Sequence, residues 1–407
     1  VKSSTVINVP SHDLKWYLGS TALFLLPGGI QAVLFPWLIA VYLQESAIRV
    51  GIAQMAGPLP MLFLVLFGGW LGDRVDQRRL SVFLASLLSV PPLIVAAFFY
   101  LNEVTFGLLL CWAVVVGCIG AFAQPSRDAM LNRVAGENIQ RVVTLAIGVQ
   151  FGIQILGFAI GSSADTTSPV IILCLMSFFM TCCALSTHRL PSMPVISKDQ
   201  QKDSPFADIS AGVAVAWQSE KIKPSIIMIF GIGLFFASAY MVILPLMVRD
   251  IFGGGAREIA LAYASNMIGT CTIIFVLIRH GSIERPGRTL ILTGILSSLI
   301  ISCLYFDLSE LAFYLVIFVW GMCGGISMSL SRAIVQEASP ATHRARILSV
   351  FTLGMMGGMP IGSALLGVIV EYLGVQTAAL IPGSGMLLVL AYLYLKTNLY
   401  EIESKAV

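Results

Sequence analysis
The feature that most constrains this chain is a recurring run of about twenty uninterrupted apolar residues, set off by short polar joints. A bilayer core of roughly 30 Å needs about 20 residues of helix to cross it. Twelve such runs are read at roughly 17–43, 50–72, 80–100, 107–127, 141–161, 169–187, 223–247, 258–279, 289–305, 311–332, 346–370 and 376–396. Backbone polar groups have no water to bond inside lipid, so each run must satisfy its own as helix or pair in a closed barrel. The runs are continuously apolar and too long for barrel strands, whose residues alternate. Hydrophobic residues make up 57% of the 407 and charged residues 11%. A soluble surface needs more charge than that. The expectation is an all-α membrane protein of twelve transmembrane helices. The polar start, VKSSTVINVPSHDLKW, leads directly into the first long run, so no cleavable signal peptide is expected.

Lysine and arginine set the orientation. With the N-terminus in the cytoplasm, 21 of the 24 fall on the inner side, and only Arg49, Arg249 and Arg257 on the outer. This follows the positive-inside rule. The net charge of +3 is then a topological signal and does not point to nucleic acid. The expectation is a multi-pass monomer of a bacterial inner membrane, with both termini cytoplasmic and lipid as its surroundings. The eight cysteines lie in or beside apolar runs without a CxxC pair, and no histidine joins them at metal-ligand spacing. They read as packing residues, and neither a metal nor a cofactor is expected.

The longest polar stretch, 188–222, divides the spans into six and six. It reads as a cytoplasmic linker with an amphipathic helix, between bundles at 1–187 and 223–407. The halves align at an offset of 205: Arg74 falls on Arg279, Arg127 on Arg332, Arg141 on Arg346, Gly152 on Gly357 and Gly157 on Gly362. Two halves of the same orientation make a parallel repeat about an axis along the membrane normal. That is an architecture of alternating-access carriers, with the substrate site near the midplane.

Between the second and third spans stands GGWLGDRVDQRR, a charge cluster in a chain poor in charge. Gly69, Leu71, Gly72, Asp73, Arg74, Arg78 and Arg79 resemble the G-x-L-a-D-R-x-G-R-R signature of the major facilitator superfamily, with Asp76 and Gln77 departing from it. The D-R-V-D form, and PSRDAMLNRV after the fourth span, resemble the branch holding the enterobactin exporter, secretion carriers and drug-efflux proteins. The resemblance implies two pseudo-symmetric six-helix bundles. It also implies that Asp73 caps the start of the eleventh helix when the carrier is outward-open, a contact worth about 0.3–2 kcal/mol. Arg74, Arg78, Arg79, Arg127, Arg141, Arg332 and Arg346 would serve gating at the inner face. Ile278 stands at the repeat-equivalent of Asp73, so this latch would be one-sided. Two drug–proton antiporter signatures are altered. The fourth-span stretch LLLCWAVVVGCIGAF has no arginine, and G-P-x-x-G-G in the fifth reads GFAIGS.

Ionisable groups at membrane depth mark function. The 21 acids all lie in loops, tails or span ends. Toward the midplane the sequence offers Gln31, Gln150, Gln154 and Asn266, and among aromatics Phe235, Tyr240 and Trp320. Each also suits interhelical bonding or packing. As a cavity they would take a bulky amphipathic or aromatic molecule. Asp165, Glu45 and Asp128 are the candidate coupling acids, and coupling through the substrate itself, or no coupling, are the other readings. The leading expectation is a secondary exporter of small organic molecules such as siderophores, drugs or metabolites. An importer or facilitator of lipid or metabolite without proton coupling is the alternative. A sensor would need a signalling domain. A membrane enzyme would need a catalytic cluster at depth, yet the four histidines lie in cytoplasmic loops or at span ends. No G-x-x-x-x-G-K-[ST] motif is present to bind ATP.

Overall fold
The computed structural model describes residues 11–72, 74–135, 139–191, 213–280, 283–340 and 344–402. Helix follows helix, and no strand occurs among these residues. The first half contains α1 (Ser11–Trp37, continued by a π-helical turn Leu38–Tyr42), α2 (Ala47–Ala56 and Pro58–Gly72), α3 (Gln77–Leu88 and Val90–Tyr100), α4 (Phe106–Ala135), α5 (Ile139–Gly161) and α6 (Pro169–His188). The second contains α7 (Ile222–Gly231, a π-helical stretch Ile232–Ala237, then Ser238–Asp250), α8 (Ala256–His280), α9 (Pro286–Ser302), α10 (Glu310–Ala338), α11 (Arg344–Leu373) and α12 (Leu380–Lys396). Eleven helices among the described residues are long and apolar enough to cross a membrane. The fifth expected span is α5, a helix of 23 residues. Of the expected linker helix, 192–212 lie outside the described residues, while 213–218 are helical.

Local chemistry sets the helix ends. Ser46 and Ser309 accept the backbone N–H of Arg49 and Ala312, as N-caps do. Pro169 and Pro286 open α6 and α9 at the first turn, where a missing N–H costs nothing. Gly374, at φ 77°, turns the chain out of α11. Pro125, Pro245 and Pro360 lie inside α4, α7 and α11. Membrane helices tolerate this because neighbouring groups take up the freed carbonyl.

By contacts the chain packs as two units: 1–35 with 63–200, and 36–62 with 201–407. The end of α1 and the start of α2 therefore pack with the second-half helices. Small residues bring backbones together within each unit. In the first, a Cβ on Gly157 of α5 would lie 2.6 Å from Gly29 Cα of α1, and one on Gly68 of α2 would meet Ala121 of α4. In the second, a Cβ on Gly362 of α11 would meet Leu234 O of α7, and one on Gly321 of α10 would meet Asn266 O of α8. Leu234 is the repeat-equivalent of Gly29, and Gly362 of Gly157. The 205-residue repeat is thus a repeat of one helix crossing, α1 on α5 and α7 on α11. Without a hydrophobic drive between helices in lipid, such close packing holds the bundle together.

Candidate functional site
The charged α2–α3 turn begins where α2 ends at Gly72, with Gly69 half-buried in its last turn. Arg74 N bonds Leu71 O at 2.9 Å, and the Arg74 side chain is exposed. Asp73, the expected latch acid, lies outside the described residues. Asp76, one of the two departures from the signature, has a clear task. Its carboxylate accepts Arg78 N at 2.9 Å and Arg79 N at 3.1 Å and caps α3. An acid just before an apolar helix is an N-cap signal, and sequence reading passed over it by comparing only with the family pattern. Arg78 donates from Nη1 to Leu190 O at 3.0 Å, tying the turn to the end of α6, while Arg79 is exposed.

The largest departure from expectation is Arg127. Sequence reading set it with the inner basic loops at the end of the fourth span. In the structure α4 continues as helix to Ala135, and Arg127 is 5% exposed inside the first unit. Its Nη2 donates to Thr21 Oγ1 at 2.9 Å and Ser20 Oγ at 3.5 Å, and its Nη1 to Cys183 Sγ at 3.7 Å. The Phe24 ring lies 4.5 Å from the guanidinium carbon, within cation–π range. Tyr17 donates its hydroxyl to Arg127 O at 3.2 Å. A buried cation is thus held by neutral dipoles and a π face from α1 and α6. The fourth span does carry a buried arginine, and the signal was available: PSRDAM continues a helical pattern beyond the apolar run. The corresponding Arg332 is exposed, and Arg346 is half-buried near the start of α11. Arg141 lies in the first turn of α5.

The polar and aromatic cavity candidates divide by environment. Asn266 donates to Ile317 O at 3.4 Å, and Thr270 bonds both Asn266 O and Gly321 O. These groups join α8 to α10. Trp320 is buried edge-on to Phe236 at 6.0 Å, and the Phe235 ring lies against Gly385 of α12. All three therefore take part in helix packing. Tyr240 stacks on Tyr263 at 4.3 Å. Gln31 and Gln154 are half-buried and Gln150 is exposed, and the Gln154 backbone lies against Gly29.

The coupling candidates all sit at helix ends or faces. Glu45 pairs with Arg49 at 2.7 Å, Asp128 accepts from Gln124 Nε2 at 3.1 Å, and Asp165 is exposed in a short 3-10 turn after α5.

Comparison with known proteins gives these features a context. Residues 21–407 match the transmembrane secretion effector family. The chain is 24% identical over 377 residues to the multidrug efflux pump Tap of Mycolicibacterium fortuitum, covering 88% of this chain and 90% of that protein. It is 19% identical over 385 residues to the staphyloferrin A transporter of Staphylococcus aureus (strain NCTC 8325 / PS 47), covering 91% and 92%. In fold it is similar to the nucleoside transporter NupG, with a TM-score of 0.73 at 14% identity over 94% of this chain and 98% of that one. A POT family transporter gives 0.72 at 14% identity, over 94% and 95%. Eleven candidate membrane spans among the described residues, a repeated crossing and a match across nearly the whole length lead to one conclusion: the chain is a multi-pass membrane transporter, a member of the transmembrane secretion effector family within the major facilitator superfamily.

Proposed function
We propose that this transporter exports a bulky amphipathic or aromatic organic molecule by alternating access, with both termini in the cytoplasm. The observation that carries the reading is the match to a secretion family over residues 21–407. The relative named as a multidrug efflux pump supports the export direction. The like crossings of α1 on α5 and α7 on α11 support two rocking halves, since each half keeps one rigid contact of the same kind. Of the residues first considered for the cavity, Gln31, Gln150 and Gln154 are the contact groups of the first unit, because Phe235, Tyr240, Asn266 and Trp320 are engaged with packing partners. Arg127 acts beside them as a positioning residue, holding α1, α4 and α6 of the first unit around one cation.

Energy coupling runs through a titratable group on the substrate or an acid at a span end. The test is a substrate screen in inverted membrane vesicles with and without an imposed proton gradient. Accumulation in inverted vesicles is expected. Accumulation only in right-side-out vesicles would replace the export reading with import. Single amide replacements of Asp165, Glu45 and Asp128, measured in driven transport beside counterflow, locate the coupling group. A variant that loses driven transport but keeps exchange identifies its acid as the carrier. If all three keep driven transport, the proton rides on the substrate. For topology, a cysteine introduced at Gln200 is expected to resist an impermeant thiol reagent in intact cells, and labelling there would reverse the orientation.

A further inference from the structure
We propose that Arg249 is the releasable tie of the outer gate, a positioning residue that holds the α1–α2 segment closed on the second-half helices by gripping backbone carbonyls. The inference rests on the alternating-access reading and its orientation.

Arg249 stands in the last turn of α7. Its Nη1 donates to Ala40 O at 3.1 Å and to Glu45 O at 2.7 Å. At the end of α1, Leu43 N bonds Leu38 O and Glu45 N bonds Ile39 O, and the next carbonyl along, Ala40, turns to the guanidinium. Gln44, between the two gripped regions, has φ 51°. A non-glycine residue in the left-handed region costs roughly 1–2 kcal/mol, so something must hold it there. That reversal brings Glu45 O round to the guanidinium.

The charges are arranged for release. The other edge of Arg249 faces the carboxylate of its own neighbour Asp250, with Nη2 to Oδ2 at 3.1 Å. The Glu45 carboxylate faces Arg49 on its own segment at 2.7 Å. Each side thus carries its own ion pair, and Arg249 reaches across the seam only to neutral carbonyls. A direct ion pair between Arg249 and Glu45 would strand two charges at each opening, whereas this tie strands none. A cavity of about 470 Å³, lined by Glu45, Arg249, Asp250, Glu371 and Gly374 among others, lies beside it, and through it water can take over the released carbonyls.

Three nearby contacts share the seam. Gln54 Nε2 donates to Met241 O at 3.0 Å, and Ile48 N to Glu371 Oε2 at 3.4 Å. A Cβ on Gly51 would lie 2.5 Å from Ser363 O, so the α2 and α11 backbones touch. Gln54 is buried, whereas the Arg249 and Asp250 side chains are 23% and 33% exposed. Arg249 is therefore placed where water can compete first.

The test is hydrogen–deuterium exchange by mass spectrometry on the full-length protein in nanodiscs. Arg249→Gln is expected to speed exchange in peptides covering 43–56 and 367–375 by about tenfold or more, because bonds to a charged donor are among the stronger ones. Arg249→Lys, with its charge but no fork, is expected to fall between. Peptides covering 77–100 serve as the internal reference and are expected to keep the wild-type rate. Unchanged exchange at 43–56 in Arg249→Gln overturns the proposal, and so does faster exchange everywhere, which would mark a general structural role. Exchange does not depend on transport. Local loosening in a protein whose wild type accumulates no substrate in inverted vesicles would uphold the tie and defeat the export reading.

Discussion
Arg127 and Arg332 occupy the same position in the two halves of this chain and live in opposite environments. Arg127 is buried among Thr21, Ser20, Cys183 and Phe24, and Arg332 is exposed. At the 205-residue offset those four partners become Ile226, Ser225, Leu388 and Ile229, and Tyr17 becomes Ile222. Four of these five groups are aliphatic in the second half and only the serine is kept, as Ser225, so the second half has no comparable polar nest to take a guanidinium out of water. The helix crossing, by contrast, survives in both halves: Gly157 touches Gly29, and Gly362 touches Leu234. The two halves share the contact that fixes backbone geometry and differ in the side-chain chemistry around the arginine. The first half is where the arginine is buried among neutral groups.

The comparison breaks most sharply on the arginines. Arg127→Met is expected to bring vesicle transport near background while the protein still inserts and keeps its melting temperature, because an apolar chain of similar length replaces a buried charge without leaving an orphan. Arg332→Met, at an exposed position, is expected to stay within about twofold of wild type. Equal losses in the two variants would mean that the repeat still works as a symmetric pair. Asp73→Asn comes next: it is expected to slow transport without loss of membrane insertion, if Asp73 forms the charged cap that the signature's resemblance implies and that the second half lacks. Wild-type rates there would leave the turn as ordinary inner-loop sequence.

The crossings should behave alike. Gly157→Ala and Gly362→Ala each put a methyl group into facing backbone and are expected to destabilise by about 1–3 kcal/mol, read as a lowered melting temperature in detergent. If only one does so, the two crossings are not equivalent. The smallest effect is expected at Asp76. Asp76→Ala removes the α3 cap at a cost of about 1 kcal/mol, while Asp76→Asn keeps a cap acceptor and most of the stability.

Much of this molecule was legible in the residues. Run lengths near twenty implied membrane helices, and the offset-205 matches at Gly157 and Gly362 proved to be the crossing residues themselves. Less legible were the fates of single polar groups. Asn266, Trp320 and Phe235 looked suited to a cavity by depth alone. Each is engaged by a partner far away in sequence: Ile317 O, Phe236 and Gly385. A periodicity shows which groups share a helix face, but which neighbouring helix meets that face is a tertiary matter.

Hydropathy by itself determined the class of fold, because the bilayer demands a length and a self-satisfied backbone whatever the details of packing. The arginine count determined the expected orientation for a similar reason, since charge is costly to carry through lipid. Two things waited for the folded chain. One is the burial of Arg127, which depends on hydroxyl, thiol and aromatic groups brought together from α1 and α6. The other is the grip of Arg249 on Ala40 and Glu45, some two hundred residues away. In both, an arginine that reads in sequence as one more loop charge takes its role from acceptors that only the packing of helices places within 3.5 Å or so of its nitrogens.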